Sequence, residues 1–286
     1  MSWTAVAVAD ERREDATLAE IFRGPFQSSR LFAMPVADTV GAYMIALSGD
    51  GSLLQQPGVL TSAGVLAIGF GDVAQLEYRH TGAISVTGID APLPAVGVQL
   101  RLPIPERPYV PAIGLAFRLG VPRDEDVAGV TVTERVTDFY VVARERLGAV
   151  TLHGGVRVSP ASIQLAGPGL TFKTDRTLVL PTAGFEIATS RETRIVGEGA
   201  LVPQFHWQPG DTAALIGSGV LARLGLRWAV LSWATFDASF GYQLDSAMGS
   251  GSGPRDVVQQ WDIRLGAEVF VPWGALACRA LGVFCG

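Results

Sequence analysis

Between Trp261 and Trp273 the chain reads Trp-Asp-Ile-Arg-Leu-Gly-Ala-Glu-Val-Phe-Val-Pro-Trp, with apolar side chains at the odd positions and Asp262, Arg264 and Glu268 among the even ones. A period of two places alternate side chains on opposite faces of a strand. The stretch is therefore a two-faced strand with an aromatic residue at each end, longer than the roughly 5 to 6 residues of an average strand. A strand that crosses a bilayer needs about 9 to 11 residues, one apolar face and aromatics near its ends. Such strands must close into a barrel, because the edge groups of an open sheet would have no hydrogen-bond partners in lipid.

Composition agrees. Charged residues make up 17% of the 286 and hydrophobic ones 48%, against about 25% charged in ordinary soluble domains. No uninterrupted apolar run reaches the roughly 18 residues of a membrane helix; the nearest, Val269 to Cys285, is broken by Pro272 and Arg279. The net charge is −5 with acids and arginines interspersed, which gives no footprint for nucleic acid. The start, Met1 to Ala9, lacks a basic opening, and Ala7-Val8-Ala9 resembles a cleavage site before Asp10, so it reads as a truncated export signal or a start placed too far downstream, with a cytosolic chain lacking a signal as the alternative.

Residues 10–26 begin charged, turn mildly amphipathic and stop at Gly24-Pro25, which predicts a short helix followed by a loop. From about residue 39 the helical period is lost, and strands alternate between short turns and longer connections. Short turns are expected at Gly69–Asp72, Pro105–Tyr109, Gly148, Ser190–Thr193 and Arg227–Ala229. Long connections are expected at Gly49–Gly58, Thr81–Pro92, Pro122–Thr131, Ser159–Thr174, Pro209–Asp211 and Ser246–Asp256. Short turns on one side and long loops on the other is the arrangement of outer-membrane barrels. The expected fold is all-β: a transmembrane antiparallel barrel of about twelve strands. Its parts are a periplasmic segment over residues 1–38 forming a short helix or plug, the barrel over 39–273, and a periplasmic tail over 274–286.

Aromatic residues fall into two girdles. Tyr109, Trp228 and Trp273 lie at the short-turn ends, and Trp207, Tyr242 and Trp261 at the long-loop ends. On the face opposite the apolar stripe lie Glu77, Arg79, Arg101, Arg118, His153, Arg157, Glu186, Glu198, Arg223, Asp237, Asp262, Arg264 and Glu268, which are expected to face the lumen. Their signs are mixed, so they can neutralise one another across a narrow barrel or line a channel in a wetter one.

The segments Gly24–Pro35, Gly71–Arg79 and Asp138–Gly148 resemble proteobacterial outer-membrane barrels, some of them associated with exopolysaccharide export or surface motility. The similarity spans most of residues 24–158 and consists of strand and turn patterns. It implies the fold and a place in an envelope complex, and it offers no catalytic residue.

Other chemistry is weakly signalled. Gly69-Phe-Gly71-Asp-Val-Ala74 and Gly217-Ser-Gly219-Val-Leu-Ala222 look like dinucleotide fingerprints, but a fingerprint must open a helix between two strands. Ser239, Asp237 and His153 share the inner face and could converge as a hydrolase, although no nucleophile elbow is present. Cys278 and Cys285 are the only cysteines and are expected to pair in an oxidising periplasm. Those cysteines and the three histidines show no metal-ligand spacing.

Neither a metal nor a cofactor is expected, and no enzymatic activity. The expected surroundings are outer-membrane lipid and lipopolysaccharide in a Gram-negative bacterium, with envelope-complex proteins or surface polysaccharide as partners. The expected role is structural or docking; the alternative is a small porin-like channel, and a barrel hydrolase is third.

Overall fold

The computed structural model describes residues 26–54, 60–83, 95–104, 110–207, 209–244 and 259–281. In chain order the strands are β1 (Ile45–Leu54), β2 (Leu60–Phe70), β3 (Ala74–Ala83), β4 (Ala95–Arg101), β5 (Ala112–Gly120), β6 (Arg123–Val127) and β7 (Val130–Val136). They continue as β8 (Asp138–Leu147), β9 (Val150–Gly167), β10 (Leu170–Ala188), β11 (Thr193–His206), β12 (Leu215–Leu231), β13 (Ala234–Leu244) and β14 (Gln259–Val271), followed by the helix α1 (Trp273–Leu281). Every pairing is antiparallel. The sheet closes where β14 returns to β1, from Ile45↔Val271 to Leu54↔Asp262.

The wall has 12 strands. The segments β7 and β8 pair with β9 in one unbroken register and form a single long stave. β5 and β6 pair with β8 and β7 in the same way, interrupted at Val121-Pro122. Proline has no N–H to give to a ladder, and the register slips by one residue across it.

Two expected loops are strands, and the first six residues of a third, Gly49–Leu54, belong to β1. Residues 159–174 lie within β9 and β10, joined by a tight turn at Pro168-Gly169. Gly169 has φ of 74°, the conformation that a type II turn demands after proline. Most of residues 122–131 forms the hairpin β6–β7, turning at Ala128 and Gly129, both with positive φ. The turn expected at Arg227–Ala229 is also displaced: β12 runs on to Leu231, and Ala234 opens β13. The helix expected within residues 10–26, the turn at Pro105–Tyr109, the loop at 246–256 and Cys285 lie outside the described residues, apart from Phe26.

The outer face changes character along β9 and β10. Leu152 and Val156 of β9 point outward and are 45% and 43% exposed, and Val179 of β10 is 67% exposed. Above Pro160 and Thr177, which pair with each other, the same faces carry Ser162, Gln164 and Ala166 on β9 and Thr171, Lys173 and Asp175 on β10. The lipid belt ends at that level, and both strands continue beyond it.

The β10–β11 ladder stops at Thr182↔Ala200, beside Pro181 and short of Pro203. Above this break the inner faces of β7, β9 and β10 cover Leu201 and Phe205 of β11 and Ile216 of β12, which belong to the outer face of those strands. Val132, Ile163, Leu165, Leu178 and Leu180 form the apolar layer between them. The long-loop end is thus locally two sheets thick.

Candidate functional site

The wall runs from Ile45 to Val271, and residues 26–44 lie inside it as a strap across the short-turn half of the lumen. Leu31, Phe32, Val36, Ala37 and Val40 of the strap are 0 to 5% exposed. They pack on inward-facing Ala112, Ala116, Val142 and Val196, and nearer β1 on Ala46, Ala67 and Phe270. Two glycines give the strap room. A side chain on Gly69 would collide with the backbone of Val40 and Gly41, and one on Gly114 with Ala37.

Polar contacts fix the strap. The Glu198 carboxylate on β11 accepts the backbone N–H groups of Phe32, Ala33 and Met34 at 3.1, 3.0 and 3.2 Å. A bend with three successive N–H groups turned to one point makes a small anion nest, filled here by a side chain. Gln75 accepts from the Val40 N–H at 2.8 Å, and Gln99 donates to the carbonyls of Val36 and Asp38 at 2.7 and 2.6 Å. Arg227 donates to the Leu31 carbonyl at 2.6 Å. Arg101 and Arg144 both meet the Asp38 carboxylate.

The remaining lumen residues form ion pairs. Arg118 meets Glu77 at 3.0 Å, and Arg79 lies 3.5 Å from the same oxygen. Arg223 donates to both oxygens of Asp262, at 3.1 and 2.8 Å, and stands 3.6 Å from Glu198. Arg264 pairs with Asp50, and Arg227 with Asp237 at 2.8 Å. Arg194 and His153 both face Glu186, at 2.6 and 3.5 Å, while Glu268 is 5% exposed and within the field of Arg227. Arg157 donates to the Tyr140 hydroxyl at 3.0 Å, which in turn donates to Asp138. The Arg118 and Arg157 guanidinium groups lie 5.1 and 5.6 Å from the Tyr140 ring centroid, a cation–π arrangement.

The inner face thus gathers the residues assigned to it by parity, and adds Asp38, Asp50, Gln75, Asp138, Tyr140, Arg194 and Arg227. Parity places Gln75 with Glu77 and Arg227 with Arg223; Asp38 lies on the strap, where strand parity says nothing. Beside the strap, Arg30, Phe32, Asp50, Asp237, Ser239 and Arg264 line a cavity of about 10 Å³, room for about one water.

The hydrolase constellation is not assembled. Neither ring nitrogen of His153 nor the Ser239 hydroxyl has a hydrogen-bond partner among the described residues, and Asp237 is held by Arg227. Gly69–Ala74 spans the end of β2 and a three-residue 3-10 turn, and Gly217–Ala222 lies inside β12, so neither glycine pattern opens an α-helix.

The girdle residues divide. Trp228 is 42% exposed on the outer face and stacks on Phe236 at 6.4 Å. Trp261 stacks on Phe240 at 6.0 Å and lies opposite Tyr242 across the ladder. Trp273 opens α1 and meets Tyr43 edge-on at 5.6 Å. Trp207 departs from the expectation: it packs against the apolar layer at the long-loop end, its indole donating to the Asp211 carbonyl. Tyr109 lies outside the described residues. A closed 12-strand wall, an exposed apolar belt and aromatic pairs toward both ends have one solvent in common, the bilayer.

The chain is an outer-membrane β-barrel.

Its setting is therefore the outer membrane of a Gram-negative bacterium. No family model and no curated protein matches the barrel. Among solved structures it is similar to the translocator domain of the autotransporter NalP from Neisseria meningitidis, with a TM-score of 0.45, 13% identity and coverage of 94% of this chain and 97% of that one. It is similar also to the NanC porin (TM-score 0.47, 8% identity, 78% of this chain and 98% of that one) and to the KdgM porin (TM-score 0.42, 10% identity, 78% and 98%).

Proposed function

We propose that the barrel is a small-solute channel held shut by its own N-terminal strap. The observation that carries this reading is that residues 26–42 of the strap make no backbone-to-backbone hydrogen bond to the wall among the described residues; the chain joins the ladder only at Tyr43 and Met44, which exchange backbone hydrogen bonds with Gly69. The β1–β14 seam closes the barrel without it, and the one backbone bridge within the strap, Arg30↔Pro35, is internal. A segment held by side-chain contacts to a complete wall can leave without unzipping a strand. It would expose a lumen lined by paired charges, the lining of a water-filled pore.

The test is planar-bilayer recording on the full-length protein and on a variant lacking residues 1–38. Little steady conductance from the first and stable openings from the second are expected. The docking role expected from the sequence shares the closed lumen and separates at this experiment, since a folded, strapless barrel that stays silent supports docking. The polysaccharide-export association finds no support in the comparisons.

A further inference from the structure

The N-terminal strap leaves the lumen at Tyr43, and the C-terminal helix meets it there. Tyr43 donates its backbone N–H to the Gly69 carbonyl at 3.2 Å, and the Met44 carbonyl accepts from Gly69 at 2.9 Å. The strap is thus tied to the wall from this point on and free of the ladder before it. Tyr43 has φ of 55°, in the left-handed region that a bulky side chain disfavours. Such a conformation persists only where the surrounding structure holds it.

Three contacts from α1 hold it. The Gly274 N–H donates to the Tyr43 carbonyl at 3.1 Å. The Trp273 indole meets the Tyr43 ring edge-on at 5.6 Å, with 79° between the planes, a favourable aromatic geometry. Gly274 is buried, and a Cβ on it would stand 2.5 Å from the Cβ of Tyr43 and 3.1 Å from its Cγ, so only glycine permits the approach. The dependence runs both ways. The first N–H groups of a helix have no partner within it, and Pro272, just before α1, has no side-chain acceptor to cap them. The Tyr43 carbonyl supplies that acceptor.

We propose that α1 is a latch on the strap. Docked on Tyr43 it holds the junction in its strained conformation and the strap in the lumen; its departure lets Tyr43 relax and the strap swing out at the short-turn end. Tyr43 lies before the first paired residue of the seam, Ile45, and α1 lies beyond the last, Val271, so the latch opens with the barrel still closed. As a statement about conductance this rests on the channel reading; as a statement about the strap's freedom it does not.

The experiment is amide hydrogen exchange of the full-length folded protein, read at residues 32–34, at Val40 and along the β1–β14 seam. Gly274→Ala is expected to speed exchange in the strap about 10-fold or more and to leave the seam unchanged. Trp273→Ala, which adds no bulk, should speed it about 3-fold. Adding Tyr43→Gly to Gly274→Ala should restore most of the lost protection. It removes the atoms with which the new methyl collides, keeps the carbonyl acceptor and suits a positive φ. Heat-modifiable gel migration confirms that each variant is folded. The latch is overturned if strap exchange in folded Gly274→Ala matches wild type, if the seam quickens together with the strap, or if Tyr43→Gly restores nothing. Planar-bilayer recording of Gly274→Ala tests the channel separately. Faster strap exchange with a silent barrel keeps the latch and removes the channel; openings with unchanged strap exchange do the reverse.

Discussion

A Cβ placed on Gly114 of β5 would stand 2.8 Å from the Cα of Ala37, so the wall touches the strap there at backbone distance. Real Cβ atoms do not approach a backbone so closely, and the strap must shift if one is added. The wall ladder at Gly114 pairs with Val142 of β8 and does not involve Ala37. Gly114→Ala is therefore expected to loosen the strap at a cost of about 1 to 3 kcal/mol, the usual range for overpacking. Planar-bilayer recording should show intermittent openings in this variant that the wild type lacks.

Glu198 is the anchor of the strap's bend. Glu198→Gln keeps an acceptor oxygen and removes the charge that strengthens its three N–H bonds, each contributing about 1.5 to 3 kcal/mol when one partner is charged. Amide exchange at residues 32–34 should speed up at least 10-fold, while exchange in the β1–β14 seam stays unchanged. Equal protection of residues 32–34 in both proteins would remove Glu198 as the anchor.

The membrane boundary on β9 can be placed by two substitutions on one face of one strand. Arginine at Val156, within the lipid belt, is expected to cost about 2 to 4 kcal/mol. At Gln164, beyond Pro160, the same change should be nearly neutral. Unfolding titrations in lipid vesicles measure both, and similar costs would place the belt wrongly.

Glu134 of β7 lies on the inner face of the projecting hairpin, opposite Arg123 and Ile163. Burial raises its pKa above the ordinary 4.5, with Arg123 opposing and Glu125 adding to the shift. Below 4.5 the carboxyl is protonated whether the hairpin is docked or open, so the protonated group imposes no pH-dependent penalty. As pH rises through 4.5 the open form ionises first, and docking stability falls until the docked group also ionises. Proteolysis at Ala128-Gly129 should therefore quicken from pH 4 toward neutrality in the wild type. Glu134→Gln should remove that trend, and a variant with the same pH profile would acquit Glu134.

Much of this molecule is written locally. Strand parity needs only neighbours along the chain, which is why Glu77, Arg79 and Arg118, or Asp262, Arg264 and Glu268, are legible as one face. Residues 159–174, expected as a long connection, carried a local signal for the hairpin that forms there: Pro168-Gly169 is a type II dipeptide between two alternating runs, and the polar outer face beside it, in water above the belt, is what made the segment read as a loop. The strap was not legible. Ala67, Val142 and Phe270 break the polar pattern of the inner face, and only Leu31, Val36 and Val40, packed within the closed wall, account for them. Which guanidinium meets which carboxylate depends likewise on how far each stave is shifted against the next, since opposite walls of a closed sheet have no local relation in sequence. A two-faced wall and a membrane setting are both legible in the chain, because both follow from a period of two. That the lumen is occupied, and that Arg79 and Arg118 share the Glu77 carboxylate, depends on contacts between distant parts of the chain, which exist only once the sheet has closed around the strap.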